Sequence, residues 1–387
     1  MSRAQYPQQP TEVIDTGVAA DASYARRGSV PETPNAALAV VRLRGYRFSP
    51  EIRTQLRELH KVDNWHGLLA WVEDVTWILA AILAAEESGH FGFFWVTYII
   101  FTFPIIAVRQ RAAATLLHES AHRTLAQNRR LNLLLGTYLS GYLILQSYSA
   151  YFASHVKDHH GHFGDPARDP DLRDHIRAGL YEPWPSMQFI ARYLVLPLIV
   201  SQITLIRRLI LMRLFYKDAD RRELARLSLF VVILTVTCCL VFGWTKVVLF
   251  WYAPLFLGFP VVNWYLELLE HFPYPATAKL DIEATRHRAV GPITRRFFSI
   301  HQEGYHLDHH LSPGIPFWNL PRAHKIRMQD PIYAAVVRRS YAGPGGNLWY
   351  QFRSIALERP RVVPIAYRSP SSTAKNDEQA PSRSYRG

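Results

Sequence analysis

Residues 303–324 read EGYHLDHHLSPGIPFWNLPRAH, in which His306, His309 and His310 offer three ring nitrogens over about one helical turn. The same device occurs twice upstream. His118 and His122 stand four residues apart in HESAH (118–122), and His155, His159 and His160 fall together in HVKDHH (155–160). A ninth histidine, His271, closes a long apolar run. Neutral imidazole is the commonest metal ligand at physiological pH and suits iron and zinc. Clusters separated by apolar segments therefore point to one metal centre assembled from distant parts of the chain.

The apolar segments set the fold. They are Val75–Ala85, Phe91–Val108, Leu131–Leu145, Phe189–Met212, Leu227–Trp244 and Val247–Leu269. A bilayer-spanning helix needs about 20 mainly apolar residues, which only the last two approach without interruption. The first two form a hairpin around Glu86-Glu87-Ser88-Gly89, provided its first helix extends upstream past Glu73 and Asp74. If the three clusters build one site, an even number of spans must separate any two of them. Leu131–Leu145, alone between the first and second clusters, then cannot cross; its Gly136, Ser140 and Gly141, with Gln146 just after, fit a re-entrant or surface-lying helix. Of the three runs between the second and third clusters, at most two span. Phe189–Met212, with Arg192, Pro197, Arg207 and Arg208, is the expected interfacial one.

Composition agrees with a membrane protein whose ends are polar. The chain has 387 residues, a formal charge of +13 and a mean hydropathy of -0.05, which averages polar ends over an apolar middle. Arginines crowd the edges of the apolar runs (Arg109, Arg111, Arg123, Arg129, Arg130, Arg207, Arg208, Arg213, Arg221, Arg222), as where cytoplasmic segments meet anionic lipid. They place the clustered histidines on the cytoplasmic side. No nucleic-acid-binding motif accompanies the charge, so no nucleic-acid partner is expected. Cys238 and Cys239 are the only cysteines and are adjacent, which argues against a disulfide scaffold and a thiolate-bound metal. Residues 1–45 have no apolar core of the kind a cleavable leader carries, so membrane targeting is expected from internal segments. Residues 1–45 and 366–387, rich in Pro, Ser, Gln and charge, are expected to be disordered tails around a domain at 46–365.

The HExxH string alone has two readings. In a zinc peptidase both histidines bind zinc and Glu119 is the general base. A mononuclear zinc site needs only three or four ligands, however, and this chain offers eight or nine clustered histidines, a surplus that argues for two metals. The oxygen-poor, thiolate-free set disfavours magnesium, calcium and iron–sulfur clusters. Iron is favoured, because a pair of irons at a membrane surface activates dioxygen against unactivated C–H bonds. The isolated histidines His60, His66, His90, His175, His287 and His324 are read as structural, while His162 and His301, beside the clusters, are candidates to orient a ligand. Asp165, Arg168, Asp169 and Asp171 are expected to fix the loop after the second cluster, and Pro313-Gly314-Ile315-Pro316 to end the helix bearing the third.

The order of HESAH, HVKDHHGHFGDPARDPD and EGYHLDHHLSPGIPFWNLPRAH resembles the membrane fatty acid desaturase and hydroxylase family over roughly residues 65–335. That resemblance implies three histidine boxes binding two irons. It also implies an all-α integral membrane bundle of about four transmembrane helices, with a cytoplasmic helical cap holding the di-iron site. The ligands it implies are His118 and His122, then His155, His159 and His160, then His306, His309 and His310, with His271 as an additional one. No catalytic residue separate from these ligands is implied. Where the family resembles itself in carrying an Asn four residues before the additional histidine, this chain has Glu267. That carboxylate is either a direct ligand or an acid paired with an arginine, and Glu270 is expected to face away. The family's reactions use dioxygen and two electrons from ferredoxin, rubredoxin or cytochrome b5. With no haem motif, flavin fingerprint or cysteine cluster in the sequence, an external donor is implied. The expected activity is desaturation of an acyl chain or related amphiphile. Hydroxylation of a lipid or natural product on the same scaffold is the alternative; more remote are an intramembrane zinc metalloprotease and a metal carrier.

Overall fold

The computed structural model describes residues 43–199, 202–211, 214–276, 278–288, 291, 297–340 and 348–358. The expected tails lie outside these residues except at 43–45, where Arg44 makes an isolated bridge to Leu280. Among the described residues there is no strand. The principal helices are α1 (Pro50–Arg57), α2 (His66–Gly89), α3 (Phe94–His122), α4 (129–144), α5 (148–162), α6 (Pro170–Arg177), α7 (Ser186–Ile199), α8 (202–211), α9 (Arg221–Phe242), α10 (Trp244–His271), α11 (His306–Leu311), α12 (Leu320–Arg327) and α13 (Pro331–Arg339). Short polar side chains start several of them: Asn128 accepts from the N–H of Arg130, Asp220 from that of Arg222 and Asp330 from that of Ile332.

Four helices, α2, α3, α9 and α10, are long and apolar enough to cross a membrane. They correspond to the first two and last two apolar runs, so α9 and α10 alone separate the second histidine cluster from the third. The bundle is therefore all-α with an even number of crossings between clusters. α7 is apolar but too short to span, in keeping with an interfacial role for its segment. Apolar side chains of α9 such as Leu229, Val232, Ile233 and Leu240 face outward, and Phe91, Trp95 and Trp244 are exposed at the hairpin tips, where aromatic rings sit at a membrane boundary. Lys246 joins Glu86 across the two tips at 2.6 Å.

α2 does extend through Glu73 and Asp74. Asp74 is buried because Arg109 of α3 meets it at 2.9 Å and His301 at 2.8 Å, so the charge inside the span is compensated. α3 and α10 run parallel and in register: the same offset of 151 residues relates Tyr98 to Leu249, whose carbonyl its hydroxyl reaches at 2.6 Å, and Ala107 to Gly258. A Cβ on Gly258 would stand 2.6 Å from the Ala107 Cβ, so glycine sets the helix separation. Because the helices keep step, His122 and His271 emerge at one level.

α4 turns back beside α3. A Cβ on Gly136 would meet Ser120 at 2.1 Å, and Asn132 donates to the Ser120 carbonyl at 3.0 Å. The helix descends until Ile144 packs with Ala114, Leu255 and Phe259, then reverses at Leu145, whose φ is 59°. This is re-entrant geometry. Over the histidine end, α1, α11, α12 and α13 share one apolar core with α3, built from Leu56, Leu116, Leu307, Leu320 and Tyr333. Replacing Gly258 with leucine should wedge α3 from α10 at a cost of about 1–3 kcal/mol, typical of overpacking. Thermal unfolding of detergent-purified protein should show a lowered midpoint, and bound metal should fall with it.

Candidate metal centre

Each cluster is delivered by a different local device. α3 ends at His122 because Arg123 adopts a left-handed conformation with φ 62°. The second cluster lies where α5 is wound with i→i+5 hydrogen bonds, from Phe152 to His159, rather than as an ordinary α-helix. Such wide turns concentrate at functional sites. The third occupies the short α11, which stops at Leu311 ahead of Pro313, with the Ser312 N–H donating to the carbonyls of Asp308 and His309 at 3.1 Å.

The nine histidines converge. His118, His122, His155, His160 and His309 form one set with nitrogens within 4.8 Å of one another, and His159, His271 and His310 form a second. His306 joins the second set, with its Nε2 3.0 Å from His271 Nε2 and 3.1 Å from His310 Nε2. In the first set His309 Nε2 lies 2.9 Å from His118 Nε2 and 3.1 Å from His160 Nε2. A neutral ring carries one proton, so facing nitrogens at this spacing cannot all satisfy one another. The buried His122 Nε2 has no hydrogen-bond partner. Cations at about 2.1 Å from their ligands would satisfy lone pairs spaced in this way. Burial, followed by mutual repulsion with neighbouring rings, holds His155, His160, His306, His309 and His310 well below the usual imidazole range. They are therefore neutral, as ligation requires. The arrangement fits two adjacent cations.

Carboxylates stand behind the rings. Glu119 Oε1 is 3.1 Å from His118 Nδ1, and its Oε2 accepts from the Thr124 hydroxyl at 2.7 Å and from the Phe317 N–H at 3.2 Å. Glu119 is thus a buried anchor for a ring, not a base open to a substrate as in a peptidase. Asp169 Oδ1 meets His159 Nδ1 at 2.9 Å while also capping α6 through the N–H groups of Asp171 and Leu172. Of the loop residues expected to support the second cluster, Asp169 is the buried one, whereas Arg168 is exposed.

Glu267 accepts from Asn263 Nδ2 at 2.8 Å and lines a cavity beside the histidines, outside both sets. Glu270 does not face away. It is buried, 3.4 Å from His306 Nδ1, because Arg288 draws it inward at 3.0 Å. Arg288 also holds Glu303 at 2.9 Å, and Glu303 meets Arg111 at 2.9 Å, closing a buried network of two acids and two arginines. Burial opposes the Glu303 charge, but the two guanidiniums prevail and keep its carboxyl below its ordinary range. Behind α11, Asp308 is held by Arg327, by His324 at 3.0 Å and by the Tyr333 hydroxyl at 2.9 Å. His287 belongs to this group, and burial pushes it down to about 3. The remote partners of these groups carry no spacing pattern in the sequence; the acids inside a span, Glu73 and Asp74, were the one available signal.

The family model for Fatty acid desaturase matches residues 41–341. The chain belongs to the fatty acid desaturase family. It is 35% identical over 306 residues to the dihydrorhizobitoxine desaturase of Bradyrhizobium elkanii, covering 76% of this chain and 84% of that protein. A shorter match, 30% over 106 residues, relates it to the beta-carotene ketolase of Paracoccus sp. (strain PC1), covering 26% of this chain and 41% of the ketolase. Together with the four candidate spans, these matches make the chain a membrane oxidoreductase of the desaturase family. Asp169→Ala removes both a ring anchor and a helix cap. Metal affinity should fall about 10–100-fold, as when carboxylates behind metal-bound histidines are lost. Metal retained after dialysis against a graded chelator series is the check.

Proposed function

We propose that this protein is a dioxygen-dependent desaturase whose two irons are held by His118, His122, His155, His159, His160, His271, His306, His309 and His310. The convergence of nine histidine rings into two adjacent sets carries the reading. A bound iron pair supplies dioxygen reduction and hydrogen abstraction from unactivated C–H bonds. The chain's own contribution is placement. Glu119 and Asp169 fix the rings of His118 and His159 through Nδ1, leaving Nε2 directed inward. Phe163 packs against the second set, its ring centroid 4.4 Å from that of His310.

The substrate class is an acyl chain or another amphiphile, presented from the membrane. The name of the 35%-identical relative favours desaturation, and that of the ketolase keeps oxygen insertion, hence hydroxylation, as the second reading. Electrons come from an external ferredoxin, rubredoxin or cytochrome b5. The site faces the cytoplasm, since Arg123, Arg129, Arg130, Arg221 and Arg222 gather at the histidine end while the hairpin tips carry Lys246.

Detergent-purified protein loaded with ferrous iron should hold about two irons per chain, read by elemental analysis and Mössbauer spectroscopy, and comparison of lipids and small metabolites in expressing and control cells should show a new double bond. His309→Ala empties a ligand position in the first set and should abolish turnover; full activity in it overturns the ligand assignment. Glu267→Asn should keep both irons and alter rate or product ratio if the carboxylate reaches metal. Unchanged iron, rate and products would rule out Glu267 as a metal ligand.

A further inference from the structure

A cavity of about 60 Å³ adjoins both histidine sets, with Arg111, Gln146, His301 and Glu303 among its lining residues. That is room for a few water molecules. Gln146 is 1% exposed, yet its Oε1 has no protein partner, and Arg111 Nε on the same wall also lacks one. Buried polar atoms of this kind mark a hydrated pocket.

Six histidines line the cavity, and His301 alone among them belongs to neither set. It is built in at some conformational expense: His301 and Gln302 both take left-handed backbone angles, with φ 53° and 59°. The ring lies 2.8 Å from Asp74 through Nε2, and Asp74 is held in turn by Arg109 at 2.9 Å. The charged groups around it are Asp74 and Glu73 from α2, Arg109 from α3 and, on its own segment, Glu303; the Phe317 ring packs at 5.6 Å. Burial disfavours the His301 cation, but the charge and hydrogen bond of Asp74 outweigh it and raise its affinity for a proton above that of ordinary imidazole.

We propose that His301, positioned by Asp74, is the residue that passes solvent protons through the hydrated cavity to the metal centre. The idea rests on the oxidase reading above. Desaturation balances as R–CH2–CH2–R′ + O2 + 2 e− + 2 H+ → R–CH=CH–R′ + 2 H2O, with electrons from the external carrier protein. The substrate supplies two hydrogens, so two protons must enter from water. At His301 an N–H bond of the imidazolium breaks at Nδ1 as an O–H bond forms on cavity water. The neutral ring keeps its remaining proton at Nε2, hydrogen-bonded to Asp74, and Nδ1 regains a proton from a protonated water of the same cavity. Asp74 is the positioning residue of the pair.

The test uses the full-length protein with His301→Gln, which keeps a hydrogen bond to Asp74 without titrating, and with Asp74→Asn. In metal-free protein carrying ¹³C-labelled histidine, the resonance lost in His301→Gln should titrate above the ordinary imidazole range and move down by at least one unit in Asp74→Asn. In iron-loaded protein reduced with dithionite and mixed with oxygenated buffer, His301→Gln should retain wild-type iron and melting temperature. Its dioxygen reduction should slow at least tenfold, with a larger solvent deuterium isotope effect and more hydrogen peroxide released. A wild-type rate and isotope effect in His301→Gln, loss of its iron, or a His301 resonance indifferent to Asp74 each overturns the proposal. If wild-type protein binds no iron and consumes no dioxygen, the oxidase reading itself fails, whatever the titration shows.

Discussion

Gly258 against Ala107 is the contact on which the rest depends. It lets α3 and α10 lie parallel at glycine-limited distance and in register, and each helix then climbs about 20 Å to a terminal histidine, at 1.5 Å per residue. A shift of one residue along either helix would turn its histidine by about 100° and move it by 1.5 Å. Convergence within hydrogen-bonding distance tolerates neither change. The precision of the polar centre is thus set by apolar packing within the bundle.

Polar groups at the histidine end are compensated locally. Asp74 is shared between Arg109 and His301, Glu270 and Glu303 divide Arg288 and Arg111, and Asp308 has Arg327. Buried pairs of this kind contribute little net stability, because desolvation offsets most of their attraction, but a buried charge stripped of its last counter-charge costs about 3–5 kcal/mol. Their effect here is geometric. The three networks grip the chain just before the third cluster, on the neighbouring span and behind α11. They fix in three directions a six-residue helix that could not hold its own conformation in isolation.

The bundle was legible in the sequence where one physical rule dominated. Length and apolarity identified α9 and α10, and the requirement that all clusters share one side removed 131–145 and 189–212 from the spans. The four candidate spans among the described residues leave both of these segments out. α2 was harder to read, because Glu73 and Asp74 interrupt it and their partners, Arg109 and His301, are remote in sequence. At the site, four-residue spacing brought the converging histidines into view but not their winding: His155 and His159 share a wide turn that spacing cannot distinguish from an α-helical one. Glu270 was misjudged for a related reason. Helical periodicity places a side chain relative to its own axis, whereas Arg288, 18 residues away beyond an irregular segment, determines that this one points inward.

The anionic groups also bear on what the centre does. Glu119 and Asp169 lie one ring away from the inward-facing nitrogens, each beside an Nδ1. A carboxylate in that position accepts the imidazole proton, fixes the tautomer and strengthens Nε2 as a donor without occupying a ligand position itself. A peptidase requires the reverse for the Glu of HExxH: an exposed carboxylate able to take a proton from water on the metal. Both lone-pair faces of Glu119 are taken, by His118 on one oxygen and by Thr124 and the Phe317 N–H on the other. The same five-letter string therefore serves two chemistries, and the hydrogen bonds of its second letter decide between them: here Glu119 holds a ring in place, and the reaction falls to whatever the rings hold.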